Sequence, residues 1–122
     1  MRHKRRTHGL SRKERLVNPA DFARVYKAGK RAAGRTLVLY VLNNGENLNR
    51  VGFSVGTKRA GGVVRKNRIK RLLREAYRRN KTRFTTGWDL VMVPRKTTER
   101  VDFQVFQDEL LALAKKAEVI IQ

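Results

Sequence analysis

The chain has 122 residues, which is enough for one domain with its own hydrophobic core. It contains no cysteine, which excludes disulfides and thiolate zinc sites, and no apolar run approaches the ~18 residues of a membrane span. Thirty Lys and Arg residues against ten Asp and Glu give a net charge of +20, which favours a polyanionic partner. Because no apolar signal sequence follows the first basic residues, we expect a cytoplasmic protein.

The positive charge is concentrated in two segments. Residues 1–35 hold twelve basic and two acidic residues, and residues 58–83 hold twelve and one, whereas the other two segments are close to neutral. A surface that is merely soluble would mix both signs. A membrane-surface helix would carry a Trp- and Phe-rich face, which the second segment lacks. Nucleic acid is therefore the favoured partner.

The chain is predicted to begin with a basic flexible arm. Residues 1–17 show no sustained periodicity and little apolar content, so we expect them to order only on RNA, and we expect residues 18–122 to form a single RNA-binding domain. Asn18 is a capping residue followed by Pro19, and Gly29 ends the pattern, which predicts a short first helix between them.

Two strands and a long helix follow. Residues 36–42 and residues 50–55 are predicted to pair as an antiparallel hairpin across the turn at residues 43–45. Residues 56–62 are predicted to be a loop, and residues 63–81 a helix with one apolar stripe formed by Ile69, Leu72, Leu73, Ala76 and Tyr77.

The C-terminal part adds a strand at residues 88–93 and a last helix capped by Asp102. The last helix places on one face Phe103, Phe106, Leu110, Leu113, Ala114 and Ala117. The order of helix, two strands, helix, strand and helix predicts an α+β fold with helices packed on a small sheet.

The long helix carries a continuous basic face opposite its apolar stripe. On a wheel of 100° per residue, the far side holds Asn67, Arg71, Arg74 and Arg78, and its shoulders hold Arg68, Lys70 and Glu75. Glu75 is spaced to pair with Arg71 and Arg79, as on an ordinary solvated helix. One carboxylate cannot neutralise so many cations, and the arginine fork grips phosphate oxygens, so this face is predicted to bind RNA.

Other candidate sites give weaker signals. The glycine-rich residues 56–62 lack the Gly-Lys-Ser/Thr of a P-loop, which leaves an anion site beside Thr57, Lys58 and Arg59 or a simple flexible turn. His3 and His8 have no neighbouring carboxylates, and the ten carboxylates are scattered, so we predict neither a catalytic residue nor a metal site in the protein. Three aromatic residues suit either the core or the stacking of single-stranded RNA: Phe22, Tyr26 and Tyr40.

Residues 51–75, VGFSVGTKRAGGVVRKNRIKRLLRE, resemble the protein subunit of bacterial ribonuclease P. The hallmark of that family is an Arg-Asn-Arg helix start followed by Ile-Lys-Arg. Asn67 and Arg68 match it, whereas Lys66 replaces the first Arg and Arg65 precedes it. The likeness covers about residues 10–117 and includes Asp21-Phe22, Val25-Tyr26 to Gly29, Val38-Leu39-Tyr40, Gly87-Trp88-Asp89 and Pro94-Arg95-Lys96.

The resemblance implies a more specific fold. It is a ribosomal-protein-like α+β domain of order α-β-β-β-α-β-α, with a four-stranded sheet, three helices and an unusual left-handed β-α-β crossover. The additional strand is expected near residues 30–33.

The resemblance also implies a function. The chain is expected to be a subunit of a ribonucleoprotein endoribonuclease that removes the 5′ leader of precursor tRNA, with hydrolysis carried by a catalytic RNA and its bound Mg²⁺. No organic cofactor and no obligate protein partner are expected. The residues implied to dock on the catalytic RNA are Lys58, Arg59, Arg65, Lys66, Asn67, Arg68, Lys70, Arg71 and Arg74. The residues implied to hold the single-stranded leader are Phe22, Tyr26, Val38 and Tyr40.

Two other functions fit parts of the pattern. A structural RNA-binding protein, such as a ribosomal protein or an RNA chaperone, would share the charge and the lack of an active site. An autonomous nuclease is the weakest alternative, because no paired-carboxylate site is present.

Overall fold

The computed structural model describes residues 10–95 and 102–121. The helices are α1 (Pro19–Ala28), α2 (Thr57–Ala60), α3 (Val63–Asn80) and α4 (Phe103–Lys116). The strands are β1 (Lys30–Ala33), β2 (Leu37–Asn43), β3 (Arg50–Phe53) and β4 (Trp88–Pro94), and short 3₁₀ turns lie at Arg12–Glu14 and Lys81–Arg83. The α+β class predicted from the sequence is confirmed.

The predicted helix caps are present. The side-chain oxygen of Asn18 accepts a hydrogen bond from the N–H of Ala20, and Pro19 occupies the first turn of α1. The Asp102 carboxylate accepts a hydrogen bond of 2.9 Å from the N–H of Val105 at the start of α4. These bonds satisfy amides that have no partner within the helix, so both helices begin where the sequence predicts.

The sheet has the order β1-β2-β4-β3, and this order contradicts the predicted β2–β3 hairpin. β4 lies between those two strands, antiparallel to β2 and parallel to β3. β2 and β4 are seven-residue strands with long apolar runs that can be buried on both faces, so they form the centre, while the four-residue β3 lies outside β4. The actual hairpin joins β1 and β2, which confirms the additional strand at residues 30–33.

The connection from β3 to β4 contains both α2 and α3, so the helix count is four rather than three. α2 occupies four residues of the segment predicted as a loop. It ends at Gly61, whose φ of +93° is a conformation that glycine adopts without strain.

The two faces of the sheet are covered unequally. α3 and α4 cover one face, where Leu39, Leu90 and Met92 are fully buried. On the other face, Val25 of α1 packs with Val91 in a smaller cluster. Tyr40 and Val93 on this second face are only half-buried, so the part beside α1 stays accessible.

The N-terminal segment is packed from Leu10 onward, so the flexible arm predicted over residues 1–17 is wrong for residues 10–17. Leu10 and Leu16 are only 9% and 4% exposed, and the N–H of Leu16 donates a 2.9 Å hydrogen bond to the carbonyl of Val51. Burial of these two leucines outweighs the surrounding charge. The remainder of the predicted arm, with His3 and His8, lies outside the described residues.

Candidate nucleic-acid interface

The predicted basic face of α3 is confirmed as a face of the helix. Ile69, Leu73, Ala76 and Tyr77 are buried against the sheet and α4, and Leu72 is half-buried. On the outward side, the exposed residues are Asn67, Arg68, Arg71 and Arg74, while Lys66, Lys70 and Arg78 are half-buried. The helix thus presents cations to solvent along its length.

Glu75 neutralises only the C-terminal end of this face. Its carboxylate pairs with Arg78 and lies 3.1 Å from Nε of Arg79, so the predicted pair with Arg79 is present. The predicted pair with Arg71, also a described residue, does not form. The hydrogen bond from Arg78 is the main reason why the pKa of Glu75 is lowered. Within residues 10–95 and 102–121, no carboxylate lies within 4 Å of the guanidinium groups of Arg68 and Arg71. The middle of α3 is therefore the part most available to an external anion.

α2 extends the cationic surface beyond the start of α3. Lys58 and Arg59 are exposed on α2, and Gly62, the residue before α3, provides no capping side chain. Arg59 and Arg65 line one small cavity together with Arg95, which follows β4. Three separate chain segments therefore bring cations to this place.

The residues predicted to hold the leader are brought together beside α1. The ring centroids of Tyr26 and Tyr40 lie 4.9 Å apart in an edge-to-face arrangement, and those of Phe22 and Tyr26 lie 6.4 Å apart. Val38 and Tyr40 line a groove of about 320 Å³ on the accessible face of the sheet. Such a surface of aromatic rings and apolar side chains can stack unpaired bases.

The same groove contains residues that the sequence prediction missed. Its lining also includes Arg31, Val93 and Arg95, and it includes Arg59 from the predicted docking set. Arg31 is opposite Tyr40, and Val93 is opposite Val38, in the strand register. The alternation of β4 could have indicated Val93, whereas Arg31 depends on a pairing between strands. Arg59 connects the two predicted sites.

An ion-pair network centred on the buried Asp89 holds α1 over the sheet. Asp89 of β4 is fully buried and accepts hydrogen bonds of 2.9 and 2.7 Å from Nε and Nη2 of Arg50. The hydrogen bond with Asp89 is the main reason why the pKa of Arg50 is raised. Arg24 of α1 lies 3.6 Å from the same carboxylate and 2.9 Å from Asp21. These contacts fix the helix that carries Phe22 and Tyr26, so Asp89 has a structural role here.

Residues 10–95 and 102–121 contain no group of three or more His, Cys, Asp or Glu side chains placed to hold a metal ion. None of the helices in these ranges combines the length and the apolar character needed to cross a membrane.

A cationic surface that meets a groove with aromatic and apolar side chains is typical of small RNA-binding proteins. The family model of ribonuclease P matches residues 10–118 of the chain. The chain therefore belongs to the ribonuclease P protein family, whose members are the protein subunits of a ribonucleoprotein endoribonuclease.

Individual relatives agree with this assignment. The ribonuclease P protein component of Natranaerobius thermophilus is 43% identical over 100 residues, which cover 82% of this chain and 86% of that protein. The RNase P protein of Staphylococcus aureus has a TM-score of 0.79 at 32% identity, covering 88% of this chain and 98% of its own. The RNase P protein of Thermotoga maritima has a TM-score of 0.76 at 38% identity, covering 84% and 96%. The resemblance found in the sequence is confirmed.

Proposed function

We propose that the basic face of α2 and α3 binds the catalytic RNA of ribonuclease P, and that the groove beside α1 holds the single-stranded 5′ leader of precursor tRNA. The observation that carries this proposal is the junction at Arg59, where the cationic surface meets the groove lined by Val38 and Tyr40. A leader in the groove would then lie next to the docked RNA. The proposed docking residues are Lys58, Arg59, Arg65, Lys66, Asn67, Arg68, Lys70, Arg71 and Arg74, and the proposed leader residues are Phe22, Tyr26, Val38 and Tyr40.

In this proposal the protein positions RNA and the RNA carries the reaction. Mg²⁺ held mainly by RNA would supply the metal chemistry of phosphodiester hydrolysis, and no organic cofactor takes part. Arginine and lysine side chains between the two RNA molecules offset the repulsion of their phosphates, so less Mg²⁺ is needed to hold them together. The reaction would take place in the cytoplasm.

Reconstitution tests the proposed activity. The chain is mixed with a bacterial ribonuclease P RNA at low Mg²⁺ concentration, and cleavage of precursor tRNA is measured against the RNA alone. We expect the protein to stimulate cleavage at the mature 5′ end. Absence of stimulation, or cleavage by the protein without any RNA subunit, would contradict the proposal.

The proposed leader site is tested by removing the ring of Tyr40, which lines the groove, and the ring of Tyr26, which packs against Tyr40. Tyr26→Ala and Tyr40→Ala should each weaken binding of leader-containing precursor by the reconstituted enzyme, because a lost stacked base costs about 1–3 kcal/mol. Affinity for mature tRNA should be unchanged. Tyr26→Phe, which keeps the ring, serves as the matched control, and an equal loss for both ligands would refute the assignment of the groove.

A ribosomal or chaperone role is the alternative. The family relationship does not favour it. Sedimentation with ribosomes in high salt would support that role, whereas recovery of the protein with one abundant non-ribosomal RNA would support ribonuclease P.

A further inference from the structure

A second groove lies at the β3 edge of the sheet, and Phe22 of α1, one of the proposed leader residues, belongs to its lining. It encloses about 340 Å³ between the N-terminal segment, α1, β3 and α3. The residues that matter for its chemistry are Arg15, Val17, Phe22, Phe53, Lys70 and Arg74.

The lining of this groove combines an apolar floor with a cationic rim. Phe22 and Phe53 contribute aromatic rings, whereas Arg15, Lys70 and Arg74 contribute positive charge, and no carboxylate belongs to the lining. The guanidinium carbon of Arg74 lies 5.8 Å from the centroid of the Phe53 ring. An aromatic ring and a nearby guanidinium group are the partners on which unpaired bases stack, and the cations suit the attached phosphate.

The size of the groove limits the ligand. Its volume is near the lower end of the roughly 300–1,000 Å³ range of small-molecule sites. A single nucleotide fits this volume, and a base enters only when it is unpaired.

We propose that this groove takes one unpaired nucleotide of the catalytic RNA, with the base against Phe53 and the phosphate near Lys70 and Arg74. This proposal rests on the proposed function, because Lys70 and Arg74 belong to the helix assigned to that RNA. Residues 1–9 are a poor alternative occupant, because they carry four Lys and Arg residues and no carboxylate, and the groove is itself cationic. The nucleotide would fix the rotational position of α3 on the RNA, which phosphate contacts alone specify weakly.

A matched pair of variants tests the aromatic contact. Phe53→Leu keeps a half-buried apolar side chain but removes the ring. Phe103→Leu makes the same change outside the groove, where the guanidinium carbon of Arg79 lies 4.7 Å from the Phe103 centroid. We expect Phe53→Leu to weaken binding of the catalytic RNA about 5- to 150-fold, in line with the loss of one stacked base. Phe103→Leu should change the affinity less than about twofold.

Val17 lines the groove and is 78% exposed, so we expect its substitution to leave the fold intact. Val17→Asp should weaken binding of the catalytic RNA, whereas Ile121→Asp makes the same change in charge at another exposed site and should have a smaller effect. Equal effects of the two variants would show that only net charge matters and would overturn the proposal.

Photocrosslinking identifies the occupant. Val17 is replaced by p-benzoylphenylalanine in the full chain, the complex with catalytic RNA and precursor tRNA is irradiated, and the crosslinked position is mapped. A crosslink to one unpaired nucleotide of the catalytic RNA supports the proposal. A crosslink to the leader or to residues 1–9, or no RNA crosslink, overturns it. If the unmodified chain neither binds nor stimulates the catalytic RNA, the proposed function itself fails, whereas normal stimulation with no effect at Phe53 and Val17 refutes the groove alone.

Discussion

Gly52 of β3 has no space for a side chain, because Phe22 of α1 lies directly above it. A Cβ atom at this position would lie 2.5 Å from Cζ of Phe22 and 3.0 Å from Cβ of Leu16. We expect Gly52→Ala to lower the free energy of unfolding by about 1–3 kcal/mol, as overpacking of a core does. Gly56→Ala is the control, since its nearest neighbour would be Cβ of Arg59 at 3.9 Å. Urea unfolding measures both variants, and equal stability would show that Phe22 does not pack on β3.

The hydrogen bonds of Glu109 in α4 predict part of the stability that the fold loses at low pH. Its carboxylate accepts hydrogen bonds from the N–H groups of Arg35 (2.8 Å) and Thr36 (2.6 Å) in the β1–β2 turn, and from the Thr36 hydroxyl. Burial alone would raise the pKa of Glu109, but these hydrogen bonds hold it below the usual 4.5. Because the pKa is lower in the folded state, the charged carboxylate stabilises the protein at pH values above the unfolded-state pKa. This stability is lost as the pH falls through the folded-state pKa.

Glu109→Gln tests this linkage. The variant should be less stable than the parent chain at neutral pH, and it should lose less stability between about pH 5 and about pH 3, because one linked proton is removed. Asp108→Asn changes an exposed carboxylate on the same helix and serves as the control. The free energy of unfolding is measured by denaturant titration at each pH, and parallel curves for Glu109→Gln and the parent chain would rule out the contribution.

At the scale of elements, local signals predicted the helices better than the sheet. The caps at Asn18 and Asp102 and the apolar stripe of α3 depend on neighbouring residues, so the sequence was sufficient to locate these elements. The β2–β3 pairing was wrong because no signal near residues 43–45 shows that β4, more than 40 residues later, lies between these strands. The same limit applies to the leader groove, where Arg31 and Arg95 meet only through tertiary structure.

The basic face of α3 predicts how steeply the affinity for catalytic RNA depends on salt concentration. Each phosphate contact releases counterions and contributes roughly 0.7–0.9 to the slope of log K against log salt concentration. Arg68→Ala combined with Arg71→Ala should therefore make the slope for catalytic RNA shallower by about 1.4–1.8. Lys115→Ala with Lys116→Ala removes the same charge from exposed positions of α4 and should leave the slope almost unchanged. Filter binding at several salt concentrations measures the slopes, and equal slopes for the two double variants would show that α3 has no special role.

At the scale of the whole molecule, the fold concentrates charge that the sequence distributes over distant segments. Arg31 of β1, Arg59 of α2 and Arg95 after β4 line one groove, although they are far apart in the chain. The like charges of these three arginines repel each other. The same repulsion acts along α3, which carries eight cations and one carboxylate. A polyanion that contacts both surfaces would relieve both repulsions at once, which connects the net charge of +20 to binding rather than to solubility alone.

This repulsion predicts how the free protein responds to salt. The screening length falls from about 30 Å at about 0.01 M to about 3 Å at about 1 M ionic strength, so added salt should reduce the repulsion and raise the Tm. Arg31→Gln with Arg95→Gln should raise the Tm at low salt and weaken its salt dependence, because two of the three groove cations are removed. Lys115→Gln with Lys116→Gln has the same net charge and should respond like the parent chain. Thermal unfolding followed by circular dichroism measures the Tm at each salt concentration. A Tm that falls with added sodium chloride would mean that the ion pairs of Asp89 and Glu75 outweigh the repulsion between the clustered cations.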